Sequence, residues 1–435
     1  MRRRPENPQL NPAPAPAGRQ DDGIGRALGL GLITGAADDD PSAIGTYASA
    51  GAQFGPALLW MAPVTMPMMY AVVYLSSKLG QVSGRGLFHV IRDFYPRWLL
   101  WAVLAGVITG NTIEAAADLG GMAAALNLFI PLPIPWLAAG VAALIFALQV
   151  FGSYTFIRDV FRWLALALLA YVGAAILAKP DAAQVLKGTL QPTIVFNKEF
   201  LGIVVAIIGT TLSAYIYTWQ SNQEVEEEIA KGRTRLKDRI GATDSELAHS
   251  RRDVLIGMIF SNVVMYFIIL STSSTLYAVG QHDIETAAQA AEALRPLAGS
   301  GASALFTLGL IGVGFLAVPV MTTGAAYDLA QALGWRATLH SKAREAPRFY
   351  IAIGVVTLIA IAMNFLGFNP MRALVLSGIV QGFSTPPLLL LIMLMTNNRR
   401  IMGDRVNGLG TNLLGWTTTA VIFLATLGLV ASWFW

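Results

Sequence analysis

At 435 residues the chain has the length of two or three water-soluble domains, but 55% hydrophobic residues against 13% charged ones exclude that architecture. A soluble domain carries about 25% charged residues to coat its surface, and the mean hydropathy of +0.57 points to lipid as the solvent instead. The absence of cysteine excludes disulfides, thiolate metal sites and thiol catalysis, while the pI near 9.3 comes from basic residues in short connections, where they orient membrane proteins rather than bind nucleic acid.

In chain order, Met1 to Gly23 is polar and proline-rich without an apolar core region, and is expected to be a disordered cytoplasmic tail (1–23) rather than a signal peptide. Residues 24–433 are expected to form a single transmembrane transporter domain, with a first half at 24–180, a second half at 195–395 and an extra helix at 411–433. Apolar runs long enough to cross a bilayer predict about eleven spans. They lie at 26–53 (broken), 56–77, 98–126, 134–151, 160–178, 200–226 (broken), 253–279, 302–330, 349–366, 373–395 and 411–433. With the N-terminus in the cytoplasm and the sides alternating, only Lys179, Lys187, Lys198, Arg295 and Arg372 of the 30 Lys and Arg residues fall outside. One missed span would reverse every later segment, so this skew supports both count and orientation.

Span one meets Asp38-Asp39-Asp40-Pro41-Ser42 in mid-course. Pro41 stops the helix and frees backbone carbonyls, which are good ligands for a hard cation. Three carboxylates at membrane depth are tolerated only with a partner or water. They cannot all stay ionised without a counter-ion, so an empty site is expected to hold a proton that metal entry releases. Span three places Asn111, Glu114 and Asp118 on one helical face, as an ion or proton path would, or as a polar helix contact would. Span six is interrupted by Gly209-Thr210-Thr211-Leu212-Ser213-Ala214, followed by Tyr215, Gln220 and Glu224 towards an inner exit. Spans one and six open two five-span halves of opposite topology, and broken helices at matching places point to a substrate site at the midplane. In span ten Ser377, Gln381, Ser384 and Thr385 offer further oxygens, with a helix contact as the alternative for Gln381. The four histidines, His89, His249, His282 and His340, fall in connections, and no catalytic triad, Walker loop or zinc motif occurs, so no enzyme is expected.

The break resembles the NRAMP family of divalent metal transporters, in a divergent bacterial branch. The resemblance is carried by Gly31-Leu32-Ile33-Thr34-Gly35-Ala36-Ala37-Asp38-Asp39-Asp40-Pro41-Ser42, by Gly209 to Tyr215, by Ala125-Leu126-Asn127-Leu128 and by Leu374-Val375-Leu376-Ser377. It implies an all-α polytopic protein with the LeuT-type inverted 5+5 repeat plus one helix, working by alternating access in a bacterial inner membrane. Two departures stand out. Asp40-Pro41-Ser42-Ala43 lacks the family's asparagine, and Ser213 and Tyr215 replace its methionine and histidine. Losing the thioether suggests a harder, all-oxygen site suited to Mg²⁺ or Mn²⁺. The implied function is secondary active import of divalent metal cations (Mn²⁺/Fe²⁺ or Mg²⁺), with protons as a candidate coupling ion and no cofactor. Asp40 is the expected central ligand, with Asp38, Asp39, Thr210, Thr211, Ser213 and Gln381 around it. Glu114, Asp118, Asn111, Tyr215, Gln220 and Glu224 are the expected ion pathway. An amino-acid or other organic-solute carrier of the same fold is the alternative.

Overall fold

The computed structural model describes residues 30–151, 166–335 and 343–434. The expected tail, the first residues of span one, the start of span five and His340 lie outside the described residues. No β-strand occurs among the described residues. Helices are what a chain in hydrocarbon requires, because each must satisfy its own backbone polar groups.

Span one is two helices, α1 (Leu30–Asp38) and α2 (Pro41–Phe54). Pro41 disfavours helical geometry for the residue before it, and Asp40 is extended (φ −66°, ψ 172°). Its Oδ1 accepts the Ala43 N–H at 2.6 Å, so one carboxylate caps α2 where proline supplies its first turn. At Gly55 the backbone takes φ 58°, and α3 (Met61–Ser83) leaves at 114° to α2. The 23 residues of α3 rise about 35 Å, enough to cross alone, so this bend separates span two from span one.

After α4 (Leu87–Phe94), a short helix that hydropathy does not reveal, come α5 (Arg97–Asn127), α6 (Ile134–Phe151) and α7 (Ala170–Leu177), the described end of span five. A further short helix, α8 (Ala182–Leu190), precedes span six, which consists of α9 (Lys198–Thr211) and α10 (Ala214–Ala230). No proline makes this second break. Ser213 is extended (φ −62°, ψ 140°), and its hydroxyl approaches the Gly209 and Thr210 carbonyls at 2.9 and 3.0 Å, a local bond that competes with the helical ladder. The Leu212 carbonyl left over accepts from Thr385 Oγ1 at 3.1 Å and from the Tyr217 hydroxyl.

Span seven, α11 (Asp244–Thr275), begins before the expected 253. Thr243 and Glu246 form a reciprocal capping box, which starts a helix in polar sequence that hydropathy does not register. The remaining spans are α12 (Ala302–Leu333), α13 (Pro347–Asn364), α14 (Pro370–Thr396) and α15 (Leu409–Ala431). Among the described residues eight segments are long and apolar enough to cross a membrane, besides the bent α2–α3 pair. With that pair counted as two spans, ten of the expected spans are described, in the expected order, and span five is described only from Leu166.

The polarity is inverted relative to a soluble protein. Leu144, Ile256, Leu358 and Leu424 are exposed on the outside, while Asp38, Asp39, Asp40, Glu114 and Asp118 have no exposed surface. Small residues allow the inner helices to touch. A Cβ at Gly35 of α1 would lie 2.3 Å from the Gly257 carbonyl oxygen of α11.

Candidate functional site

The two helix breaks face each other. The Tyr215 hydroxyl, in the first turn of α10, stands 2.8 Å from the Ala37 carbonyl oxygen and 3.0 Å from Asp40 Oδ2. On the other side of the junction Tyr47 OH meets Thr211 Oγ1 at 2.8 Å. Both tyrosines are fully buried. The last turn of α1, the cap of α2 and the ends of α9 and α10 are therefore bonded into one unit.

Spans three and ten close this unit from the side. Asp118 Oδ1 accepts from the Ser42 N–H at 2.9 Å and from its hydroxyl at 2.5 Å, and Ser377 Oγ lies 2.9 Å from Ser42 Oγ. One turn away on α5, Glu114 accepts from Ser213 Oγ at 3.1 Å and from Gln381 Nε2 at 2.7 Å. Gln381 Nε2 also approaches Asn111 Oδ1 at 3.2 Å, and its Oε1 accepts from Ser384 at 2.9 Å. The face predicted for span three thus meets both the second break and span ten.

The three consecutive aspartates do not converge. Asp38, at the end of α1, and Asp39 just past it share the single hydroxyl hydrogen of Ser261 in α11, whose Oγ lies 2.8 and 3.1 Å from them. Asp40, past the helix end, turns towards α10. Among the described residues no three His, Asp or Glu side chains gather as a ready-made metal cage. Around the breaks several buried polar atoms have no hydrogen-bond partner: Asp38 Oδ1, Asp39 Oδ2, Asp118 Oδ2, Thr210 Oγ1 and Asn111 Nδ2. A buried polar atom without a partner costs about 1–3 kcal/mol, which marks these positions as candidates for a ligand or a proton.

Gln220 and Glu224 belong to a separate network. Thr34 Oγ1 donates to Gln220 Oε1 at 2.6 Å, while Glu224 accepts from Ser77, Gln81 and Gln220 at 2.6, 2.8 and 2.9 Å. Along α10 this lies about 16 Å beyond Ser213 at 1.5 Å per residue. Sequence reasoning missed Ser261, Tyr47 and, in α12, Asp328. The signal for Asp328 was present: a lone acid in an apolar run is a functional candidate by default.

The profile described as Natural resistance-associated macrophage protein-like matches residues 31–432. The chain is 28% identical over 389 residues to the divalent metal cation transporter MntH of Klebsiella pneumoniae, 88% of each chain being covered. It is 27% identical over 423 residues to MntH of Bacillus subtilis, covering 94% of this chain and 92% of the relative. Among solved structures, the Eremococcus coleocola manganese transporter in complex with an aromatic bis-isothiourea substituted compound superposes with a TM-score of 0.70 at 20% identity, covering 91% of this chain and 84% of that one. This likeness shows the fold, the LeuT-type all-α architecture expected from the sequence. The chain belongs to the natural resistance-associated macrophage protein-like family and is a multi-pass membrane transporter, not an enzyme.

Proposed function

We propose that the chain imports divalent metal cations across a bacterial inner membrane by alternating access, with its N-terminus in the cytoplasm and its cargo held at the junction of the two breaks. The observation that carries this reading is Asp40: a buried carboxylate at a helix break, tied to the opposite break through Tyr215. The relatives named for divalent metal and manganese transport support the cargo class. In this reading Asp40 is the central ligand, and Asp38, Asp39, Thr210, Thr211, Ser213 and Gln381 supply oxygens as the helices shift. Asn111, Glu114, Asp118 and Tyr215 line the path beside it, and Gln220 and Glu224 its inner end. Protons are the coupling ion.

The donors at the junction are oxygens, the preference of hard cations, whereas thioether and thiolate donors select softer ones. Mn²⁺ and Mg²⁺ are therefore the preferred cargo and Cd²⁺ the poorest. An organic carboxylate cargo would meet five buried acids, Asp38, Asp39, Asp40, Glu114 and Asp118, and be repelled.

The test is flux into liposomes bearing the purified chain, with Mg²⁺, Mn²⁺, Fe²⁺, Ca²⁺ and Cd²⁺ supplied singly. Uptake of Mn²⁺ and Mg²⁺ well above protein-free liposomes is expected, with Cd²⁺ trailing. Flux of no metal above that background would overturn the proposal.

A further inference from the structure

A second buried acid stands apart from the junction. Asp328 of α12 has no exposed surface, and no hydrogen bond of ordinary geometry reaches either carboxylate oxygen. Thr218 and Asn222 of α10 are the polar side chains beside it. The helices pass closely here: a Cβ at Gly324, one turn before Asp328, would lie 3.8 Å from Thr218 Oγ1.

The hydrogen-bond polarity of this pocket is fixed by its neighbours. The His89 N–H donates to Gln331 Oε1 at 3.1 Å, so Gln331 must present its Nε2 to Asn222 Oδ1, at 2.6 Å. That leaves Asn222 Nδ2, a donor without a partner, for Asp328. The Thr218 hydroxyl, 3.1 Å from the Tyr215 carbonyl, can donate to that carbonyl or turn to Asp328, and its lone pairs can accept from an Asp328 O–H. An ionised carboxylate would be buried here among neutral groups with no cation to balance its charge. A carboxylic acid accepts from Asn222 and donates to Thr218.

The surrounding charges are engaged elsewhere. Arg92 of α4 donates to the Gln331 carbonyl at 2.7 Å, Glu226 of α10 accepts from Tyr327 at 2.8 Å, and Glu224 is held by its three donors. His89 of α4 is kept below the ordinary histidine range by burial and by Arg92. A metal ion is a poor fit. Mg²⁺ and Ca²⁺ take about six to eight oxygens, whereas α10 and α12 run unbroken here and free no carbonyls.

We propose that Asp328 is a proton-binding residue of the transport cycle, protonated while α10 and α12 are packed together and deprotonated when they part. The inference rests on the transport reading above. The device that links proton to motion is the Asn222–Gln331 bond, seated under the start of α4, where a Cβ at Gly86 would lie 2.2 Å from both Asn222 Oδ1 and Gln331 Nε2. Alternating access that moves α10 from α12 breaks this bond, admits water, and lets the Asp328 O–H pass its proton to that water. The carboxylate left behind is hydrated until the helices close again.

The experiment reconstitutes the full chain in liposomes with a trapped pH dye and follows Mn²⁺ uptake and proton movement together. Wild type is expected to move protons with Mn²⁺. In Asp328→Asn, Mn²⁺ uptake should carry no protons and its rate should stop responding to an imposed pH gradient, and Asp328→Glu should restore both. Proton movement per Mn²⁺ equal to wild type in Asp328→Asn, or Mn²⁺ flux without protons in wild type, would overturn the proposal. If wild type moves no metal at all, the cargo reading fails, and infrared spectroscopy of the solubilised protein decides on Asp328 separately. A protonated-carboxyl band lost in Asp328→Asn supports the assignment, and an unchanged spectrum defeats it. Should Asp328→Asn not fold, Thr218→Val is read instead: removing the acceptor must shift that band, and no shift defeats the proposal.

Discussion

Asp40→Asn is expected to leave the protein folded and to weaken Mn²⁺ binding by about 100-fold or more, since outer-shell partners of a metal alone contribute about 10–100-fold. The substitution separates two jobs of one side chain. Asp40 Oδ1 caps α2 through the Ala43 N–H, and asparagine caps as well as aspartate does. At the other oxygen, the Tyr215 hydroxyl can keep its bond to the Ala37 carbonyl and accept from the new amide. The negative charge alone is lost. Asp40→Ala removes the cap too and should cost about 1 kcal/mol more in stability. Titration calorimetry with Mn²⁺, paired with thermal melting in detergent, checks both. Wild-type affinity in Asp40→Asn would remove Asp40 from the metal site.

The second large effect is steric. A Cβ on Gly209 would lie 1.9 Å from the Gly378 carbonyl oxygen and 2.4 Å from the Gly382 nitrogen, and one on Gly378 would lie 2.8 Å from the Ala206 carbonyl oxygen. Here α9 and α14 cross backbone to backbone, so no side chain can rotate away to make room. Gly209→Ala should destabilise the protein by on the order of 3 kcal/mol, the upper part of the range for overpacking. It should also slow flux, because forcing α14 outward draws Gln381 away from Glu114, to which it is bonded at 2.7 Å. Thermal melting and Mn²⁺ flux of this one variant are the measurements. A wild-type melting temperature would mean the two backbones are not in contact there.

The break in span one was legible because its causes are local. A proline, and the short carboxylate before it, dictate where one helix stops and the next is capped. The second break was visible as a patch of small hydroxyl residues, although the extended backbone at Ser213 that makes it is a conformational choice that composition does not reveal. Hydropathy located the spans to within a few residues, except where a polar capping box extended α11 and where α4 and α8 form short helices in the connections. Less of the site could be read. Three consecutive aspartates look like one cluster in sequence, but Asp40 lies past the helix end and turns away from the other two. Their partner Ser261 is 223 residues from Asp38 along the chain, and one serine in an apolar span carries no signal of what it faces. Asp328 was overlooked although its signal was present, a lone acid in an apolar run; what the sequence does not carry is the packing of α4 and α10 that buries it.

The central claim, that cargo rests at the junction beside Asp40, is tested most directly by locating Mn²⁺ through its anomalous X-ray scattering in crystals of the wild-type protein. A peak is expected about 2.0–2.6 Å from an Asp40 carboxylate oxygen, the range for hard cations on oxygen, and is expected to be lost in Asp40→Asn. A peak held by Asp38, Asp39 and Ser261 on the α11 side, with none at Asp40, would contradict it.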